Sequence, residues 1–530
     1  MQHTPIMNAD VRWERPHFFT GPARVALGLL LLFVAVFGDQ KPADAQSASS
    51  ACNREPRINE PSVYGAHPHH PFLYRIPAIG VRPLQFSAVG LPSGLSLNAD
   101  TGIISGVTPD PGTYDLVLVV RNSQGEASRK FRIAVGETLA LTPPMGWSSW
   151  YMSYTKVSDA LIRAQADALI ASGLADHGYS YVNIDDGWNI DPKSKDAAIN
   201  GSPREANGDL RANSNFPDMK GLTSYLHSKG LKAGIYISPG PSTCGGYEGS
   251  YGHERHDAQL FARWGFDFLK YDLCSYQDVI KNSRNAEDIK KPYAMMGSLL
   301  RSLDRDFVFN LCEYGFGNVW EWGRAVGGNF WRTADDVGSG IDGSLWKSMD
   351  AYGFGEAGRD RWAGPGGWND PDNVLLGQII WKDKLGPTPL TKDEQYTWMT
   401  LWSMLSAPLI LGSDLTRIDD FTKALLTNDE VIAVNQDLLG QQATPVQRSG
   451  KVEIWKKDLQ DGSQAIAIFN RGESQESVRL DPSVLKVSGE WLMRDLWAHK
   501  ESGTLRDNLQ ILLAQHAARL FRIRPSGSQP

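Results

Sequence analysis

Four cysteines in 530 residues are too few to build a fold on disulfides, so a packed core must supply most of the stability. Charge of one sign is also scarce. The 53 Lys and Arg against 60 Asp and Glu leave a formal charge of −7, with no basic stripe, which argues against a nucleic-acid partner and for a neutral ligand. No G-x-G-x-x-G follows the first strand candidate, which removes a dinucleotide-binding sheet. The cysteine spacing matches no metal signature, and neither a metal nor an organic cofactor is expected. Repeats and long low-complexity segments are absent too. Long apolar runs are missing except at 25–38, between Arg24 and Ala43-Asp44-Ala45, the layout of a secretory signal. A membrane anchor needs about 20 apolar residues, more than this run holds. A signal peptide over 1–45 is therefore expected, with export to the periplasm or the medium and no membrane contact in the mature form. The oligomeric state is not written in the sequence.

What is present divides by pattern, and at roughly 150 residues per domain the length calls for two to four domains. Residues 52–137 alternate polar and apolar in short runs with turns at Leu91-Pro92-Ser93-Gly94 and Pro109-Asp110-Pro111-Gly112, a small β-sandwich. Its histidines, in the loop from Ala66 to Pro71, lie between prolines without partners nearby and are expected to be exposed. From 141 to 436, short apolar strands alternate with amphipathic helices, the pattern of βα units. Eight strand candidates, starting at Met145, Tyr181, Ala233, Phe266, Phe307, Phe330, Gly367 and Pro408, fit a (β/α)₈ TIM barrel. Residues 437–526 return to β-alternation and read as a second, antiparallel sandwich. Among the cysteine pairings, Cys244 with Cys274 is favoured because each directly follows a strand; the others stay open.

The C-terminal ends of barrel strands share one mouth. Here they are loaded with acid: Asp185 and Asp186 after the second strand, Lys270 and Asp272 after the fourth, Glu313 after the fifth, Arg332 to Asp336 after the sixth, Asp370 and Asp372 after the seventh. One such aspartate is ordinarily a helix cap or a turn former. Five loaded ends in one mouth repel each other and raise one another's pKa, which a scaffold has no reason to do. Two acids on separate strand ends are what sugar hydrolysis needs. Trp147, Trp150, Trp188, Tyr236 and Tyr314 lie beside the same ends, either as platforms for a sugar ring or as ordinary core.

These residues carry a resemblance. Thr142 to Trp147 with Trp150, Asp185-Asp186, Gly230 to Tyr236, Trp264 to Asp272, Cys312-Glu313, Trp331 to Asp336 and Gly366 to Asp372, in that order, resemble glycoside hydrolase family 27, the α-galactosidase family. The C-terminal sandwich resembles that family's usual companion. The stretch around Leu91, Thr101 to Gly106 and Gly112 to Val117 resembles the immunoglobulin-like modules of many secreted bacterial enzymes. For that module a spacer or packing role is favoured over carbohydrate binding. By the resemblance Asp272 is the nucleophile and Asp336 the general acid/base, with carboxyl carbons about 5 to 5.5 Å apart, and a terminal α-galactoside is cleaved by double displacement with retention. Asp185 and Asp186 bind the 4-hydroxyl and the 6-hydroxymethyl group, Lys270 the 3- and 4-hydroxyls, and Glu313 and Arg332 the 2-position. Trp150 and Tyr236 wall the pocket, Tyr314 and Asp372 belong to the substrate site, and Cys244–Cys274 matches the family's disulfide. Asp336 needs a raised pKa, while Lys270 and Arg332 hold Asp272 ionised.

The bulky Glu313-Tyr314 pair favours galactose over N-acetylgalactosamine, and Asp185, where β-L-arabinopyranosidases keep a larger acid, favours it over arabinopyranose. Those two activities and an isomalto-type glucosidase remain the alternatives within the family, and a non-catalytic galactose-binding lectin the alternative outside it. The lectin would lack an acid, yet Asp272 and Asp336 are both present. The chain departs from the family pattern at Gly187, which replaces a Cys, and at Ser238-Pro239 and Asn373, which replace an Asp-Ala step and a Met and are both expected on the pocket rim.

Overall fold

The computed structural model describes residues 55–505 and 509–527, so the expected signal peptide and Cys52 lie outside the described residues. The central sheet consists of β1 (Met145–Ser148), β2 (Tyr181–Asn183), β3 (Lys232–Ile237), β4 (Phe268–Asp272), β5 (Val308–Cys312), β6 (Phe330–Arg332), β7 (Trp368–Asp370) and β8 (Leu409–Leu411). Each strand pairs in parallel with the next from β1 to β7, and β1 pairs with β8. The strands are buried along nearly their whole length, as a sheet covered by helices outside and side chains inside requires. Closure from β7 to β8 is delayed. Pro371 has no N–H and Asp372 stands at φ 112°, so the ladder resumes only where Val374 N donates to Ile410 O at 2.8 Å and Gly412 N to Val374 O at 3.0 Å. That interruption frees Asp370, Asp372 and Asn373 to turn into the mouth.

The helix Asp159–Ala171 shows how local chemistry sets the scaffold. Ser158 caps it by accepting from Leu161 N at 3.2 Å, Ile162, Ala166 and Leu169 face the sheet, and Gly173 at φ 87° stops it. The N-terminal sandwich faces a four-stranded sheet with a three-stranded one. Along Gly112–Asn122, Leu116, Leu118 and Val120 enter the core at every second position. In the C-terminal sandwich a six-stranded sheet uses both faces. Ile454, Ile466 and Ile468 fill the sandwich, while Trp455, Ala467 and Phe469 join the barrel's apolar core, where Phe354 meets the Phe469 ring at 5.0 Å. No helix among the described residues is long and apolar enough to cross a membrane.

One expectation fails. His67 and His70 are not exposed: both Nδ1 atoms meet Asp306 Oδ1, at 2.6 and 2.7 Å, and their side chains are only 17% and 16% exposed. Only His69, at 67%, fits the expectation. Their partner lies more than 230 positions downstream, in the barrel, where no local pattern reveals it.

Candidate active site

Asp272 ends β4 and turns inward, almost wholly buried. Its Oδ1 accepts from Tyr314 OH at 2.7 Å and its Oδ2 from Tyr236 OH at 3.3 Å, with Lys270 Nζ 3.9 Å from the same Oδ2. The disulfide braces both tyrosines. Cys244 and Cys274 are joined, and Cys274 Sγ lies 3.2 Å from Tyr236 OH while Cys244 Sγ lies 3.4 Å from Tyr314 OH.

Asp336 follows β6 and is 39% exposed, the accessible member of the pair. It stands at the N-terminus of the single turn Val337–Ser339 without capping it, so its carboxylate has no scaffold task there. Its Oδ1 accepts from Arg332 Nη1 at 3.0 Å. The capping is done by Asp372, whose Oδ2 accepts from Val337 N at 2.9 Å and from Tyr151 OH at 2.7 Å and pairs with Arg332 Nη2 at 3.2 Å. Asp372 Oδ1 takes Asn373 N at 2.7 Å. The oxygens of Asp372 are thus engaged by protein donors, and it holds Arg332 and the Asp336 loop in place.

Lys270 ties the second strand end to the fourth. Its Nζ donates to Asp185 Oδ2 at 3.0 Å and lies 5.0 Å from the Tyr236 ring centroid. Asp185 is oriented further by Ser148 Oγ at 3.1 Å and, through its backbone N, by Ser149 Oγ at 2.9 Å. Asp186 Oδ2 accepts from Gly245 N at 2.6 Å, which pins the loop after β3. Trp150 is half-buried and sits 5.3 Å from the Tyr154 ring. Trp147 and Trp188, by contrast, are fully buried, with their N–H groups spent on Ser413 O at 2.6 Å and Tyr236 O at 2.7 Å; they are core and offer no platform. Ser238 and Pro239, directly after β3, are buried and so present no exposed rim, and Ser238 Oγ accepts from Gly240 N at 3.1 Å.

Burial dominates the electrostatics of the site. Burial, seconded by the charge of Asp336, pushes the Asp272 carboxyl up to about 6, against the opposing pull of Lys270. Lys270 pulls the value down, as expected, so that Asp272 is ionised at neutral pH, while Arg332 is committed to Asp336 and Asp372. Burial likewise pushes Asp186 and Asp370 up to about 7, and Glu313 well above the usual range. Glu313 Oε1 accepts only a 3.3 Å bond from Gly315 N, and Oε2 has no protein partner. Asn183 Oδ1, Asn310 Nδ2 and Arg332 Nε also lack protein partners; all three residues line a cavity of about 20 Å³ beneath the acids, enough for one ordered water.

Ser149, Tyr151 and Asn373 position the acids, and sequence reasoning gave none of them that part. Ser149 and Tyr151 sit in an apolar turn that reads as core, and Asn373 stood out only as a departure. Gly187 has a physical cause: it stands at φ 103°, and a Cβ there would come 2.5 Å from Thr155 O, so the cysteine of the family pattern has no room.

Residues 142–437 match the family model described as alpha galactosidase A, 449–523 that of the alpha galactosidase C-terminal beta sandwich domain, and 55–136 that of an Ig domain. The chain is 35% identical over 412 residues to alpha-galactosidase A of Cellvibrio japonicus, covering 73% of this chain and 93% of the relative. It is similar to the crystal structure of a candidate alpha-galactosidase from Bacteroides fragilis, with a TM-score of 0.80, 35% identity and coverage of 89% of this chain and 98% of that one. Alpha-galactosidase I of Mortierella vinacea matches with a TM-score of 0.65 at 30% identity, over 75% of this chain and 100% of that one.

Proposed function

The chain belongs to the alpha galactosidase A family of glycosidases, and from that premise we propose that it removes terminal α-D-galactosyl residues from oligo- or polysaccharides with retention of configuration. The observation that carries this reading is the pairing of a buried and an accessible aspartate. Asp272 is held by two tyrosine hydroxyls beside a lysine, and Asp336, on an arginine, is close enough for its charge to raise the Asp272 pKa.

In the proposed sequence Asp336 donates its proton to the glycosidic oxygen while ionised Asp272 attacks C1, forming a β-galactosyl ester and releasing the aglycone. Asp336, now a carboxylate, takes a proton from water, whose oxygen attacks C1 and frees Asp272, so two inversions give α-galactose. The exposure of Asp336 suits a group that must meet both the aglycone and water, and the burial of Asp272 suits one that meets only the sugar. Asp185, Asp186 and Lys270 are assigned to the 4- and 6-hydroxyls and the 3-hydroxyl, Glu313 and Arg332 to the 2-position, and Trp150 and Tyr236 to the pocket wall. Asp372 acts through Arg332.

Tyr314, fixed by its bond to Asp272, is assigned to the side of a 2-acetamido group, and its bulk there favours galactose over N-acetylgalactosamine. Assay of p-nitrophenyl α-galactoside beside the α-N-acetylgalactosaminide and the β-L-arabinopyranoside tests this directly. Preference for either of the last two would overturn the substrate assignment. Export after cleavage before Gln46 belongs to the same reading, and N-terminal sequencing of the protein recovered outside the cytoplasm tests it.

A further inference from the structure

The His67–Asp306 cluster lies at the N-terminal end of β5, the end of the barrel away from the acid-lined mouth, and the mechanism does not use it. We propose that His67, His70 and Asp306 form a binding site for one divalent transition-metal ion of the zinc class, which fastens the N-terminal sandwich to the barrel. His67 Nδ1 and His70 Nδ1 converge on the same atom, Asp306 Oδ1, at 2.6 and 2.7 Å, and the three potential ligand atoms all lie within 4.8 Å of one another. Around a tetrahedral ion with bonds of about 2.0 to 2.1 Å, ligand atoms stand about 3.3 Å apart, so each ring has to withdraw from Asp306 Oδ1 by about 0.6 to 0.7 Å. Two imidazoles and one carboxylate are a donor set for zinc and its neighbours, whereas calcium and magnesium take oxygen alone.

The cluster is built in advance on both sides. Thr108 braces the histidine loop: its Oγ1 donates to His67 O at 2.6 Å and accepts from His70 N at 2.9 Å, its N donates to His70 O at 3.0 Å, and its O accepts from His69 N at 3.1 Å. Pro68 and Pro71 limit the backbone freedom of the same loop. Asp306 is fixed by its place two residues before β5, and His67 N donates to its Oδ2 at 3.2 Å, orienting the carboxylate from outside the ligand set. At partial exposure an ion can enter, and water can complete its coordination. The other grouping with metal-like spacing, Cys244, Asp272 and Cys274, has both sulfurs in the disulfide.

The test uses the untagged full chain, disulfide intact, stripped with chelator and titrated with Zn²⁺ by calorimetry at about pH 8, well above the ordinary imidazole value, because the bond to Asp306 raises that of His67. One ion per chain is expected to bind, and the unfolding temperature to rise with Zn²⁺. The comparison is H67N/H70N, whose amide nitrogens can still donate to Asp306 and so keep the latch but cannot replace imidazole as ligands. This variant is expected to lose the stoichiometric uptake and the Zn²⁺-dependent rise while cleaving an aryl α-galactoside at the wild-type rate. D306N is expected to lose uptake too. No saturable uptake by the wild type, or equal uptake by H67N/H70N, overturns the proposal and leaves the hydrolase reading untouched.

Discussion

Asp272→Asn separates what burial costs the fold from what the carboxylate contributes to chemistry. The Asp272 pKa stands at about 6 in the folded chain, against 3.8 for an ordinary aspartate. Folding therefore favours the protonated form. This contribution to stability is present below pH about 4 and is lost as the pH rises through about 6. At about 1.36 kcal/mol per pH unit, the climb from 3.8 to about 6 amounts to about 3 kcal/mol of stability given up at neutral pH. The side chain is only 7% exposed, so solvent screening removes little of it. Asparagine has the same shape, is neutral at every pH and keeps an oxygen to accept from Tyr314. D272N is thus expected to abolish turnover of p-nitrophenyl α-galactoside while being up to about 3 kcal/mol more stable than the wild type above pH about 7, or about 5 °C in the unfolding temperature of the barrel. The advantage should vanish near pH 4. Thermal unfolding of both proteins across pH 4 to 8, followed by circular dichroism, measures it. A D272N protein less stable than wild type at neutral pH, or a difference that does not grow between pH about 4 and 7, would refute the reasoning.

Tyr314→Phe removes a donor to the ionised carboxylate, so the acid limb of the kcat/KM profile, expected near pH 6, should move up by about one unit; an unmoved limb would mean that Tyr314 does not stabilise the charge. Replacing Cys244 and Cys274 by Ser opens a loop of 30 residues, an expected loss of about 3 to 4 kcal/mol by calorimetry, and should lower kcat as well, because the sulfurs brace Tyr236 and Tyr314. Gly187→Ala drives a Cβ to 2.5 Å from Thr155 O at a positive φ, and is expected to cost about 1 to 3 kcal/mol in denaturant unfolding. Asp336→Ala should spare the first step for a substrate with an activated phenol leaving group but slow the release of galactose, seen as a burst of phenol; azide should then restore turnover as α-galactosyl azide.

The barrel was legible because parallel strands buried on both faces read as short apolar runs, and the runs starting at Met145, Phe266 and Phe330 fall on β1, β4 and β6. The acids were legible because the fold puts the ends of such runs at one mouth. Other features depended on contacts that sequence spacing hides. Asp306 meets histidines more than 230 positions away, and Tyr151 reaches Asp372 across 221. The sequence left Trp147 and Trp188 open between platform and core, since a tryptophan beside a strand end has the same local sequence whether its ring lies in the mouth or in the core. The pull of Lys270 on Asp272 was legible as a charged neighbour, whereas the desolvation that outweighs it depends on burial that sequence spacing hides.

The central step is the bond that Asp272 forms to the sugar. Incubation with a slowly hydrolysed fluorinated α-galactoside, followed by peptide mass spectrometry, tests that bond. A single galactosyl adduct on Asp272, with α-galactose as the first product of ordinary turnover by NMR, is the predicted result. An adduct on any other carboxylate, or β-galactose released first, would contradict it.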